Sequence, residues 1–130
     1  MKRHLYTYRV LDVTRVIDGD TIEVVIDLGF NLSKKLRVRL MDYDAPELYH
    51  PVNESEKNAA QICKSKLQEL LDKYKDRLYL QTFKDPGIYG RYSGRLFYDS
   101  NESTICINEV MKSFIEQNHL DKPELRGETK

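Results

Sequence analysis

This 130-residue chain contains no apolar run of about 18 residues, so no transmembrane helix is expected from it. It has only two cysteines, Cys63 and Cys106, too few to staple a chain of this length. Both are expected as free thiols, one on a helix face and one in a strand near the C-terminal helix. Such thiols favour a reducing compartment. No excess of either charge exists, since 21 basic side chains balance 21 acidic ones. That balance excludes the broad positive field of a typical nucleic-acid binder and leaves only local clusters: Lys34, Lys35, Arg37 and Arg39, then Arg91 and Arg95. None of His4, His50 and His119 has a Cys or His partner at ligand spacing, which argues against a zinc site. The basic start, Met1 to Tyr8, has no apolar stretch behind it, so no signal peptide is expected. The corresponding expectation is a cytoplasmic chain, or a secreted one whose leader has already been removed.

What the chain does contain is an ordinary globular composition, 40% hydrophobic and 32% charged, at the length of one domain. Tyr6 to Ile17 reads as a first strand with Tyr8, Val10, Val13 and Val16 among its β-favouring residues. Asp18-Gly19-Asp20 reads as a turn, and Thr21 to Leu28 as a second strand in which Ile22, Val24 and Ile26 alternate with Glu23, Val25 and Asp27. Leu36, Val38 and Leu40 alternate with Arg37 and Arg39 in a third strand. Asn53, with Glu56 three residues later, has the form of a capping box. It opens a helix whose apolar stripe runs Ala59, Ile62, Cys63, Leu67, Leu70, Leu71 and Tyr74. Arg77 to Phe83 and Tyr92 to Tyr98 supply two more strands, and Ile107 to Asn118 a short helix with Val110, Met111, Phe114 and Ile115 inward. Five strands, one helix between the third and fourth, and one at the end suit a small Greek-key barrel of the α+β class. Residues 1–120 form the expected domain; Pro123, Gly127 and the polar residues around them predict a loose tail over 121–130.

Three segments carry candidate chemistry: Asp18-Gly19-Asp20-Thr21, then Arg39-Leu40-Met41-Asp42-Tyr43-Asp44-Ala45-Pro46-Glu47, then Tyr89-Gly90-Arg91. Carboxylate oxygens bind hard cations, and guanidinium forks match phosphate oxygens. Together they point to a metal-dependent phosphodiesterase. Each segment read alone has a plainer meaning. Asp18 and Asp20 are equally good turn formers. Arg39 is equally a surface strand residue, and Asp44 to Glu47 a loop or helix start. Tyr89 and Tyr92 are stacking surfaces for a base, or two of nine tyrosines filling the core and rim. Arg95 either supports the acidic turn or contacts phosphate. His50 reads as a solvated loop residue.

In order and spacing the three segments resemble the staphylococcal (micrococcal) nuclease family, from about Tyr8 to about Asn118. That resemblance implies a five-stranded OB-fold and a calcium-dependent nuclease acting on DNA, RNA or both, leaving 3′-phosphate and 5′-hydroxyl ends. It implies Asp20, Asp44 and the backbone carbonyl of Ala45 as ligands to one Ca²⁺. Arg39 and Arg91 would grip the phosphate, Glu47 would be the general base, Tyr89 and Tyr92 would bind substrate, and Asp18 and Thr21 would support the ligands. A monomer working away from membranes is expected. The chain departs from the family in having Ala45 for Thr, Ile88 for Lys, and no third helix. The alternative is a noncatalytic OB-type module binding nucleic acid or protein, favoured by the neutral charge and the missing C-terminal segment. A third reading is an intracellular processing nuclease for a small or structured substrate.

Overall fold

The computed structural model describes residues 6–46, 48, 51–84 and 92–120. Glu47, Tyr89, Arg91, His4, His50 and the expected tail over 121–130 therefore lie outside the described residues. Six strands are described: β1 (Thr7–Asp18), β2 (Thr21–Gly29), β3 (Leu32–Leu40), β4 (Leu78–Lys84), β5 (Tyr92–Asp99) and the short β6 (Thr104–Cys106). Helix α1 (Glu54–Tyr74) separates β3 from β4, ending in a 3₁₀ turn (Lys75–Arg77), and α2 (Ile107–Gln117) follows β6. The sheet order is β3-β2-β1-β4-β5-β6, and a parallel pairing of β3 with β5 closes the first five strands on themselves. This is the expected OB-fold-like α+β barrel. Strand β6, pairing Thr104 to Cys106 with Asp99 to Phe97, is an appendage that periodicity did not reveal.

Barrel curvature is written into β1. Its apolar residues recur every three positions, Val10, Val13 and Val16, whereas a regular strand would repeat every two. The register explains the discrepancy: Val10, Val13 and Val16 pair with Ile26, Val24 and Ile22, which are spaced by two on β2. One extra β1 residue is absorbed at each step, and each bulge bends the strand so that it can wrap a small barrel. Val10 and Val16 are buried, with Val13 packed against the core. The interior is completed by Ile22, Val24, Val38, Leu40, Leu78, Leu80 and Leu96.

Helix α1 starts as expected. Asn53 caps it by accepting the Glu56 N–H at 2.8 Å, while the buried Glu56 carboxylate accepts the Val52 N–H at 2.8 Å. Ala59, Ala60, Cys63, Leu67, Leu70 and Leu71 are buried. Ile62, expected on that stripe, is exposed, because Ala60 completes the arc that faces the barrel. The face is kept thin at Cys63 for a reason visible at Gly19: a Cβ there would lie 2.7 Å from both the Cys63 and Ala45 Cβ atoms. Only glycine lets the β1–β2 turn press against the helix. Cys63 and Cys106 are not joined in a disulfide, as expected. No described helix is long and apolar enough to cross a membrane.

Helix α2 contributes one polar anchor as well as Ile107, Met111 and Ile115. Fully buried Asn108 accepts the Leu96 N–H at 2.9 Å and donates to the carbonyls of Met41, at 2.8 Å, and Gly94, at 3.0 Å. It ties the chain leaving β3 to β5. Replacing Asn108 with Leu keeps a side chain branched at Cγ but strands these backbone groups, each at a cost of about 1–3 kcal/mol. Chemical denaturation should show a lowered midpoint with an unchanged slope. A loss below about 0.5 kcal/mol, the ordinary range of a neutral substitution, would remove Asn108 from this role.

Candidate functional site

The site lies where the β1–β2 turn, the end of β3 and the loop after β3 converge. Asp20 ends the turn and is buried. Its main-chain carbonyl accepts the Leu40 N–H at 2.7 Å, fixing the turn against the last residue of β3. One carboxylate oxygen, Oδ1, accepts the Thr21 hydroxyl at 3.1 Å. The other, Oδ2, accepts the Ala45 N–H at 2.9 Å and an Arg39 nitrogen at 3.1 Å. Arg39 stands on the outer face of β3, opposite Thr21 in the register, with Val38 and Leu40 facing the core. Strand alternation thus delivers its guanidinium to the turn, as the sequence predicts.

A single Arg39 terminal nitrogen meets three oxygens. Besides Asp20 Oδ2 it donates to the Tyr43 carbonyl at 3.2 Å and to Asp44 Oδ1 in a close ion pair. Asp44 is exposed, so this cluster opens on solvent. Ala45, read as offering its carbonyl, is engaged through its N–H; the main-chain carbonyl at the shared nitrogen is that of Tyr43. Tyr43 itself turns inward, its hydroxyl donating to the Gly19 carbonyl at 2.7 Å. Burial, reinforced by Asp20, pushes that phenol well above its ordinary pKa, so it stays a donor.

The loop is secured from the β5 side. Arg95 Nε donates to Asp42 Oδ2 at 2.8 Å, and its guanidinium lies 5.5 Å from the Phe83 ring centre. The sequence reads Arg95 as supporting the acidic turn or contacting phosphate; the structure instead pairs it with Asp42 in the loop after β3. Asp42 holds φ at +79°, a left-handed conformation that Asp tolerates better than most residues. Tyr92 opens β5 opposite Val38, half-buried. Sequence reasoning missed Tyr43, Asp42 and Asn108; the Tyr43 carbonyl has no side-chain signature, and a lone Asn in a helix has no period.

Two hard carboxylate oxygens and a carbonyl oxygen converging on one cationic nitrogen form a donor set of the kind that suits a hard cation. Among the described residues, no group of three or more His, Cys, Asp or Glu side chains comes together to hold a metal. Asp20 and Asp44 are the two acids available, and carbonyl or water oxygens would have to complete any coordination.

Asp18 shares the turn, accepting the Asp20 N–H at 3.2 Å through Oδ1. Its pKa is pushed up to about 6, first by burial and then by the neighbouring Asp20 carboxylate. The folded protein therefore holds this proton more tightly than the unfolded chain, whose Asp titrates near 3.8. Between those values the folded state binds more protons, so Asp18 makes stability fall as pH rises from about 4 to about 6. Asp18→Asn keeps the acceptor and removes the charge. With chelator present, thermal melts at pH 7 should show the variant more stable than wild type, with the difference vanishing near pH 4. Parallel pH profiles for the two proteins would contradict this.

No family model matches the chain. Protein ParB of Escherichia coli is 34% identical over 86 residues, which are 66% of this chain and 40% of that protein. The chain thus spans less than half the length of this relative. These findings overturn the membership of the staphylococcal nuclease family that the three segments implied. The structure shows why short segments mislead. Asp18, Gly19 and Asp20 are what this tight, helix-pressed turn needs, and Arg39 neutralises the buried Asp20 while also pairing with Asp44, so the same letters serve the fold. Glu47 and Tyr89-Gly90-Arg91, the remaining parts of the resemblance, lie outside the described residues.

Proposed function

We propose that this protein is a cation-dependent phosphodiesterase that hydrolyses DNA or RNA with little sequence preference, with calcium as the preferred ion. The observation that carries the reading is the single Arg39 nitrogen held by Asp20, Asp44 and the Tyr43 carbonyl at a solvent-open barrel end. Asp20 and Asp44 are the residues that would hold the ion, and when bound it would neutralise phosphate charge and lower the pKa of water. Asp20 is preorganised for this by Thr21 and the Ala45 N–H, which fix both of its oxygens. Arg39, relieved of the carboxylates, turns its fork to phosphate oxygens and stabilises the charge that accumulates as water adds. Tyr92 borders the same end of β3 and offers a ring for a base or sugar. Glu47 as base and Arg91 as second phosphate ligand remain this reading's assignments from sequence.

The same cluster favours a second reading. A guanidinium already satisfied by three oxygens is also a good staple for a noncatalytic OB-type module that binds nucleic acid. The two are separated by following labelled single-stranded DNA and RNA with added Ca²⁺, with chelator, and with Arg39→Lys. Lysine keeps a positive charge beside buried Asp20, so folding is retained where Arg39→Ala would strand the carboxylate. Cleavage should require the cation and fall at least about a hundredfold in Arg39→Lys, the usual scale for losing one transition-state donor. Folded wild-type protein that cleaves none of these substrates with Ca²⁺, yet binds them, would establish the module instead.

A further inference from the structure

The β2–β3 hairpin ends in a feature that folding does not account for. Gly29, Phe30 and Asn31 have φ of +83°, +56° and +63°, and Gly29 pairs with Leu32, so Phe30 and Asn31 form a two-residue loop with both residues left-handed. Such loops favour Asn and Gly, because a side chain at the first position is strained. Here that position holds Phe30, which is 96% exposed. Its neighbours Leu28 and Leu32 are 41% and 59% exposed. A bulky aromatic residue held in a strained conformation and packed against nothing gains the barrel no stability.

A row of cations connects this tip to the site. On β3, Lys35, Arg37 and Arg39 share the outer face, separated by about 6.6 Å at alternate positions, while exposed Lys34 has the opposite parity. The hairpin register runs from Thr21 opposite Arg39 to Gly29 opposite Leu32, on the order of 26 Å. Two acids face this row from β2, and both also hold the hairpin. Glu23 accepts the Thr14 hydroxyl at 2.9 Å and pairs with Lys35 at 3.9 Å, while Asp27 accepts the Gly29 N–H at 2.8 Å.

We infer that the Phe30 hairpin is a second contact for a single nucleic-acid strand, its ring stacking on a base while Lys35 and Arg37 follow the phosphates toward Arg39. This rests on the nucleic-acid reading above and adds a footprint to it. Aromatic rings accept any base, which suits a site without sequence preference, and a row of cations matches a polyanion. A lipid surface would use the apolar tip and Lys34 and Lys35, but would give the cations farther along β3 no partner.

The test is fluorescence anisotropy with labelled single strands of three and ten nucleotides, in chelator, for wild type, Phe30→Asn and Phe30→Trp. Asparagine suits the left-handed position better than phenylalanine, so Phe30→Asn should melt no lower than wild type, and weaker binding could not reflect unfolding. The advantage of the ten-mer over the three-mer should shrink about tenfold in Phe30→Asn and return in Phe30→Trp. An unchanged length advantage overturns the inference, as does binding to anionic phosphatidylserine vesicles that is lost in Phe30→Asn while strand binding is unaffected. Cleavage is scored separately. A protein that binds through Phe30 without cutting refutes the nuclease reading alone, and one that cuts without any Phe30 effect refutes only the second contact.

Discussion

A buried carboxylate must be matched by donors, and Asp20 is the constraint around which this barrel end is organised. Its oxygens are met by the Thr21 hydroxyl, the Ala45 N–H and Arg39, contributed by β2, the loop after β3 and β3 itself. Leaving such a charge unmatched costs about 3–5 kcal/mol, a large share of the stability of a small domain. The turn, the strand end and the loop are therefore obliged to meet. Gly19 makes the meeting possible by giving up its side chain to Cys63 and Ala45. Stability and candidate chemistry share one set of atoms, so the acids cannot be optimised for binding an ion without loosening the fold.

That sharing also explains how short segments of sequence suggested a family the comparisons do not support. Asp-Gly-Asp at a tight turn and an arginine opposite it are what a buried Asp20 demands on any scaffold of this shape. What these letters form in the fold is a charge cluster of Asp20, Arg39 and Asp44. Lineage is a separate question, which a few residues bearing structural duty cannot answer.

The barrel itself was largely legible, because burial imposes a period. Ile22, Val24 and Ile26 alternate on β2, Val38 and Leu40 do so on β3, and Asn53 caps α1 with its side chain as the sequence indicates. The three-residue spacing of Val10, Val13 and Val16 is also a signal once bulges are admitted, since no regular strand buries such a set. Other features left no pattern. Asn108 is a single polar residue whose importance comes from three backbone groups that lie far away in sequence. Ile62 carries the right chemistry at the wrong helical angle. The Arg95–Asp42 pair links residues 53 positions apart, a distance across which charge complementarity alone selects no partner.

A net charge of zero gives no overall attraction for a polyanionic ligand, but the positions of the charges matter more than their sum. On the β2–β3 outer face, Glu23 and Asp27 are committed to hairpin contacts, while Lys35 and Arg37 lie along the edge leading to Arg39. A strand following that edge would release few counterions, and its affinity would depend only weakly on salt. Stacking then becomes the larger lever, because it draws on apolar area and is not screened by ions. A protein with a neutral surface gains more from one exposed ring than from another lysine. A strained Phe30 at the hairpin tip is the form that such a lever takes when the barrel interior has no room for it.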